Sequence, residues 1–302
     1  MDRMPAVALA AAVGRRLRTL DLAREIEQRG FSGIYCASFG DGLALCEAIA
    51  LGTQRIAFGT AIANIYARNP LDYAATAAFI HEISGGRFRF GIGVSHGPTN
   101  ARLGVHTGKP VQDIRQFVER YRAAEAQSGP LPPVVLATLR RRMVELAGEI
   151  AQGAVWANAA RSHMGASLAH LPADKRQGGD FFIGNMLPVC IDDDRRAAAA
   201  VMRRTLTGYL LLPNYQNYWI EAGYGEEIAA VRAAIARGER ETIADMMPER
   251  WLQDVTLYGS KAEVREGLEA WFDAGVSTPI LVPSSTRGGQ LKAFEELFAA
   301  FA

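Results

Sequence analysis

Little in this chain of 302 residues suggests a metal centre, a disulfide framework or a polyanionic partner. Three cysteines occur, Cys36, Cys46 and Cys190, widely spaced and with no CxxC pair. That disfavours a zinc site and a disulfide scaffold and leaves reduced, mostly buried thiols of a cytoplasmic protein as the expectation. A net charge of +1 gives no field that would gather nucleic acid or an anionic membrane. No apolar run approaches the roughly 20 residues of a membrane span. The apolar opening, residues 5–13, is followed by Gly14-Arg-Arg16 rather than a cleavage region. It reads as a first strand, not a signal peptide. No GxxxxGK(S/T) motif occurs, which disfavours P-loop chemistry. Gly91-Ile-Gly93 is too short for a dinucleotide fingerprint and lies inside a strand. Lysine is also scarce, at Lys109, Lys175, Lys261 and Lys292. Codon bias in a GC-rich genome explains that, and so does phosphate binding through arginine.

What is present is ordinary for a soluble enzyme, with 49% apolar and 22% charged residues. The most informative stretch is Phe58-Gly-Thr-Ala-Ile-Ala-Asn-Ile-Tyr-Ala-Arg-Asn-Pro70, followed by Ile83-Ser-Gly-Gly-Arg-Phe-Arg-Phe-Gly-Ile-Gly-Val-Ser95. It reads as a buried strand, a loop, a helix, a turn and a second buried strand. Asn69-Pro70 supplies an N-cap and a proline at the first helical position. Leu71, Ala74, Ala75, Ala78 and Phe79 mark the expected buried face, and Ser84-Gly85-Gly86 stops the helix. This is one βαβ unit of a parallel sheet. Similar alternation runs along the whole chain. Thr19 is expected to cap the first helix, which Gly30 ends. Further strands are expected at residues 33–37, 134–137, 153–157, within 181–191, and at 278–282. Eight alternations predict a single-domain α/β protein, a (β/α)8 TIM barrel over residues 1–302, with an open doubly wound sheet as the alternative. Insertions follow strand six (residues 161–180) and strand seven (residues 205–249). The second insertion carries Tyr209, Tyr215, Tyr218, Trp219 and Tyr224, readable as a substrate wall, as plain packing or as a dimer interface.

Parallel α/β proteins bind ligands past the carboxyl ends of their strands. Asn64 lies there after strand three, suited to a ring carbonyl or imide edge, or simply to capping its own loop. Ser95 and His96 lie there after strand four. His96 suits proton transfer near neutrality, unless it is a surface-loop histidine. His106 and His163 are weaker candidates, and His81 reads as structural. Asn158 follows strand six as a ring or phosphate contact, or as a loop-satisfying residue. Thr138-Leu139-Arg140-Arg141-Arg142 follows strand five.

These segments resemble the bacterial luciferase-like flavin and deazaflavin oxidoreductases. In that family a Gly-Thr strand end, a short polar loop, Arg-x-Pro, Leu-Ser-Gly-Gly-Arg-Phe and a Gly-x-Gly strand follow in this order. Asn64-Ile-Tyr66-Ala-Arg68-Asn-Pro70 is most similar to the coenzyme F420-dependent branch. Thr53 to Gly59, Gly104 to Pro110, Asp113 to Tyr121, Pro133 to Ala137, Met143 to Ala147, Leu257 to Val264 and Ala274 to Val276 agree in order across nearly the whole chain. The resemblance implies F420-dependent hydride transfer to or from a small organic substrate. The alternatives are an FMN-dependent monooxygenase fed by a separate reductase, or a degenerate non-catalytic flavin-binding barrel. It implies a cis peptide within residues 61–63, with backbone near Ala63 against the ring, and a homodimer. It implies phosphate held at the strand-five exit by backbone N–H groups and a helix N-terminus. There Arg140 and Arg141 stand where the family has Gly and Pro, while Arg142 matches a basic residue. Three guanidiniums suit a polyanionic tail, but their side chains also obstruct the close approach that glycine allows. At the strand-two exit the family's acidic residue and His are replaced by Ser38-Phe39-Gly40-Asp41. Ser38, with His96, is therefore a catalytic candidate. Ala63, Asn64, Ser95, Thr138, Arg140, Arg142 and Asn158 are candidate cofactor contacts, and no metal is expected.

Overall fold

A computed structural model describes residues 3–38 and 40–302. Phe39, in the strand-two exit, lies outside the described residues. Ten strands occur among the described residues: β1 (Ala6–Leu9), β2 (Gly33–Ala37), β3 (Ala57–Ala61), β4 (Ala63–Asn64), β5 (Phe88–Gly93), β6 (Val134–Ala137), β7 (Gly153–Ala157), β8 (Phe182–Ile191), β9 (Leu257–Gly259) and β10 (Thr278–Ser284). The fold is the (β/α)8 barrel that the alternation predicts. All eight expected strands are present. The short β4 and β9 are additions too brief to show a periodicity. No helix among the described residues is long and apolar enough to cross a membrane.

The chain clusters into two compact units. The first holds residues up to Trp156 together with 169–184. In it β1, β2, β3, β5, β6 and β7 pair in parallel, each with the next. β5 shows how one strand serves two faces. Phe88 and Phe90 join a ring cluster with Phe58, Tyr73, Phe117 and Tyr121 at centroid distances of 5.2–6.3 Å. Between them Arg89 points the other way, over the Phe182 ring that also packs on Tyr35.

The helix Pro70–Ile83 is capped by Asn69, whose side chain accepts the Leu71 N–H, with proline in its first turn as expected. Gly85 and Gly86 end it with positive φ. Its buried face differs from the predicted one. Tyr73, Ala74, Ala77, Ala78 and Ile80 are buried, whereas Leu71 and Phe79 are 50% and 55% exposed. An alanine-rich helix carries two apolar stripes, and here the stripe with Tyr73 and Ile80 faces the sheet. Thr19 is not a cap. Its helix starts earlier, at Arg16, and its hydroxyl donates to the Arg15 carbonyl at 3.1 Å.

Two charged residues lock the amino-terminal side of the first unit. Arg87, from the Ser-Gly-Gly-Arg-Phe run, donates to the carbonyls of Ser84, Ile56, Ala50 and Thr53 and to the Thr53 hydroxyl at 2.8–3.1 Å. It also lies over the Phe58 ring. Glu27 accepts the N–H groups of Gln54, Arg55 and Ile56 at 3.0, 2.7 and 2.9 Å. Burial opposes its ionisation, but these three donors together with the Arg55 charge hold the carboxyl below its usual range. A depressed folded pKa stabilises above the unfolded pKa, and that contribution is lost as pH falls through the folded value. Glu27→Gln is expected to cost about 1–2 kcal/mol near pH 7. Urea unfolding should show this gap to wild type closing as the pH is lowered through the carboxylate range. A gap that is constant with pH would assign Glu27 a packing role only.

The second unit holds residues 157–168 and 185–302. In it β8 pairs with β9 in parallel and also with β10. The aromatics of the second insertion are packed inside this unit. Tyr215, Tyr218, Trp219 and Tyr224 are buried, and Trp219 and Tyr224 contact Trp251 at centroid distances of 5.1 and 5.0 Å. Packing, rather than an outward interface, accounts for them.

Candidate active site

The predicted site residues of the first unit come together at the exits of β2, β4, β5 and β6. Ser38 lies one residue past β2. Its hydroxyl donates to the Ile62 carbonyl at 2.7 Å and accepts the Ile62 N–H at 3.1 Å. The Ala61–Ile62 peptide is cis, within the segment where one is expected. The Ser38 hydroxyl therefore clips the β3–β4 junction, and it is committed to backbone. Three residues on, Asp41 caps the helix Gly42–Gly52 through one oxygen, at 3.1 and 3.2 Å from the N–H groups of Leu43 and Ala44. Its other oxygen takes Arg68 at 2.7 Å. The arginine of the Arg-x-Pro run thus ties the β2 exit to the loop after β4.

β4 pairs with β5, Ala63 opposite Ile92 and Asn64 opposite Gly93. The Asn64 carboxamide accepts the Tyr66 N–H at 3.1 Å and donates to Asn100 Oδ1 at 2.8 Å. Its carbonyl accepts the Tyr73 hydroxyl at 2.7 Å. This is the loop-capping alternative for Asn64, with one carboxamide hydrogen left over. Asn100, buried, also donates to the Val94 carbonyl at 2.9 Å. It bridges the two strand exits and was not foreseen. The only sequence signal is its place in the Gly97-Pro-Thr-Asn100 helix start.

At the β5 exit Ser95 has φ +56°, which a non-glycine residue rarely adopts. It turns the chain so that His96 follows as N-cap of the helix Gly97–Arg102. His96 is half-buried, and burial lowers its imidazole pKa below the ordinary value, so the ring is neutral at pH 7. After β6, Thr138 is buried and both its N–H and its hydroxyl point to the Val155 carbonyl, at 2.8 and 3.5 Å. Arg140 is the N-cap of the helix Arg141–Ile150, with no side-chain cap. All three arginines are exposed. Arg141 turns back to Glu145 at 2.8 Å, so the first N–H groups of this helix are not covered by a capping side chain. An uncapped helix N-terminus that carries exposed arginines has the chemistry that suits an anion.

In the second unit Asn158 has φ +53° and is 3% exposed. Its N–H donates to the Met186 carbonyl and its carbonyl accepts from Trp219. Its side chain hydrogen-bonds Tyr209 and Tyr215, opposing the rise that burial gives their phenols. That placement supports its loop-satisfying role. Ser95 and Asn158 are the two non-glycine residues with positive φ among the described residues, and each immediately follows or nearly follows a strand end.

The family model of the luciferase-like monooxygenases matches residues 6–278. The chain belongs to the luciferase-like monooxygenase family. A curated relative of this luciferase-like chain is the "Putative coenzyme F420-dependent oxidoreductase Rv3520c" of Mycobacterium tuberculosis, 25% identical over 316 residues, covering 88% of this chain and 90% of that one. The coenzyme F420-dependent tetrahydromethanopterin reductase of Methanopyrus kandleri superposes with a TM-score of 0.77 at 18% identity, over 98% of this chain and 97% of that one. The oxygenating constituent of 3,6-diketocamphane monooxygenase from Pseudomonas putida, solved with FMN, gives 0.62 at 16% identity, over 98% and 96%. These two likenesses carry the luciferase-like barrel fold.

Proposed function

We propose that this chain is an F420-dependent oxidoreductase that moves a hydride to or from a small organic substrate. The observation that carries the reading is the strand-exit arrangement. The clipped Ile62–Asn64 backbone lies beside Ser95 and His96 in the same unit as the uncapped, arginine-flanked helix N-terminus at Arg140. A bound deazaflavin supplies the hydride chemistry. The chain's own residues hold the ring, anchor the tail and manage a proton. Backbone at Ala63, shaped by Ser38 and by the Asn64–Asn100 pair, and the backbone turn at Ser95 form the ring platform. Thr138 fixes the β6 exit, from which Arg140 and Arg142 hold the phosphate and tail carboxylates. His96 takes or returns a proton. Asn158, from its own unit, supports the β7 exit. The segment Asn64 to Pro70 favours F420. A second reading, FMN-dependent monooxygenation with a separate reductase, is favoured by the FMN-bound neighbour.

Fluorescence titration tests this reading. F420 is expected to bind more tightly than FMN. Arg140→Ala with Arg142→Ala is expected to weaken F420 binding roughly tenfold or more, with a larger loss at low salt, where charge is unscreened. Micromolar FMN binding without F420 binding would transfer the chain to the second reading. Binding of neither would leave the degenerate barrel.

The proposal includes a cytoplasmic homodimer. Leu71, Ala75 and Phe79 form one exposed stripe on the helix Pro70–Ile83, which packs beside the helix Gly42–Gly52 carrying Leu51, 73% exposed. Contiguous exposed apolar surface of this kind marks an interface. Leu71→Glu with Phe79→Glu should convert a dimer to a monomer in light scattering while leaving the circular dichroism unchanged. A monomeric wild type ends the dimer proposal.

A further inference from the structure

A concavity in the first unit borders the Asn64–Pro70 loop but is lined by none of the residues assigned above to the ring, the tail or the proton. Its volume is about 260 Å³, and Ile65, Tyr66, Pro70 and Phe117 make its apolar walls. Asp113 also lines it. Its Oδ2 accepts the Tyr66 hydroxyl at 2.5 Å and the Gly108 N–H at 2.8 Å, fastening two loops to the helix Pro110–Ala123. Gly108 has to be small, since a Cβ there would lie 2.5 Å from Asp113 Oδ1. The Tyr66 phenol is pushed up by burial and by Asp113, so it stays protonated and the fastening holds.

The rim is polar and differently committed. His106, Gln116 and Arg120 line it. Gln116 and Arg120 are one turn apart on the helix, and neither makes a hydrogen bond or ion pair to another described residue. Their neighbours are engaged: Arg115 forms a two-bond pair with Glu149 and Arg122 donates to the Ile150 carbonyl. A free guanidinium beside an amide and an imidazole, over walls of Tyr66, Phe117, Pro70 and Ile65, suits an anion with a flat apolar body. The Asp113 carboxylate, about two turns before Arg120 on the same helix, disfavours a second negative charge on the ligand.

We propose that this concavity binds an aromatic monocarboxylate, with the carboxylate on Arg120 and the ring against Tyr66 and Phe117. The site does not depend on the redox reading, and its test does not use cofactor or turnover. Benzoate is the probe, titrated into the full chain by calorimetry and by ring-proton saturation transfer. Saturable binding is expected. Arg120→Gln should weaken it at least tenfold, as should Gln116→Glu, which sets a competing carboxylate beside the guanidinium. Both positions are exposed, so both variants should fold as wild type. Acetate and benzamide, which lack the ring and the charge respectively, should each bind at least tenfold more weakly than benzoate. The proposal is overturned if benzoate shows no saturable binding, if both variants bind it as wild type does, or if acetate matches it.

Discussion

Gly91→Ala is expected to destabilise the fold strongly. A Cβ on residue 91 would lie 1.9 Å from the Thr60 carbonyl oxygen and 3.0 Å from its carbon. Both are backbone atoms. The β3–β5 pairing fixes the two strands there, and the Thr60 hydroxyl donates to the Gly91 carbonyl at 2.6 Å. No rotamer change relieves the overlap, so the strands must part. Overpacking commonly costs 1–3 kcal/mol, and a clash with paired backbone should reach roughly 3 kcal/mol or more. For a chain of this size that is a fall in Tm of roughly 10 °C. Gly97→Ala is the control, because nothing lies within 4 Å of its added Cβ. A Gly91→Ala protein melting within about 2 °C of wild type would sink the argument. Any soluble fraction should also bind cofactor poorly, since Ile62 Cγ2 sits 3.7 Å above the same position and the ring platform follows from Ile62.

This close approach explains why the Gly-x-Gly strand was readable as a motif before its reason was visible. Helix caps such as Asn69-Pro70 and stops such as Gly85-Gly86 act within a few residues, so sequence shows them. The barrel was legible for the same reason, through the local periodicity of each strand and helix. The site was legible only as positions. That Asn64 lies past a strand end follows from its neighbours. That its carboxamide is taken by Asn100 depends on a residue 36 positions away. The Ser38 clip on Ile62 and the Asp41–Arg68 pair are likewise long-range. So is the choice between two apolar stripes on the helix Pro70–Ile83, where the partner surface decides and periodicity cannot.

His96→Ala is expected to lower turnover by about 10²-fold or more while leaving cofactor affinity near wild type. His96 stands at the β5 exit, one residue after the Ser95 turn and at the N-cap of the short helix that carries Asn100, whose N–H donates to the His96 carbonyl at 3.0 Å. That hydrogen bond fixes the backbone that carries the imidazole, and the same asparagine fixes the Asn64 platform. Burial lowers the imidazole pKa. The neutral form is therefore the working form at pH 7, ready to accept a proton. Wild-type kcat should fall on the acid side at a pH below the ordinary imidazole value of about 6.5, as His96 becomes charged. That limb should vanish in His96→Ala. A glutamine at the same position can donate a hydrogen bond but cannot titrate, so His96→Gln should keep some rate and show no acid limb. Loss of cofactor binding with unchanged turnover at saturation would make His96 an anchor. An unchanged rate and an unchanged pH profile would return it to the surface loop, and the proton would then have to be carried by another strand-exit group or by water.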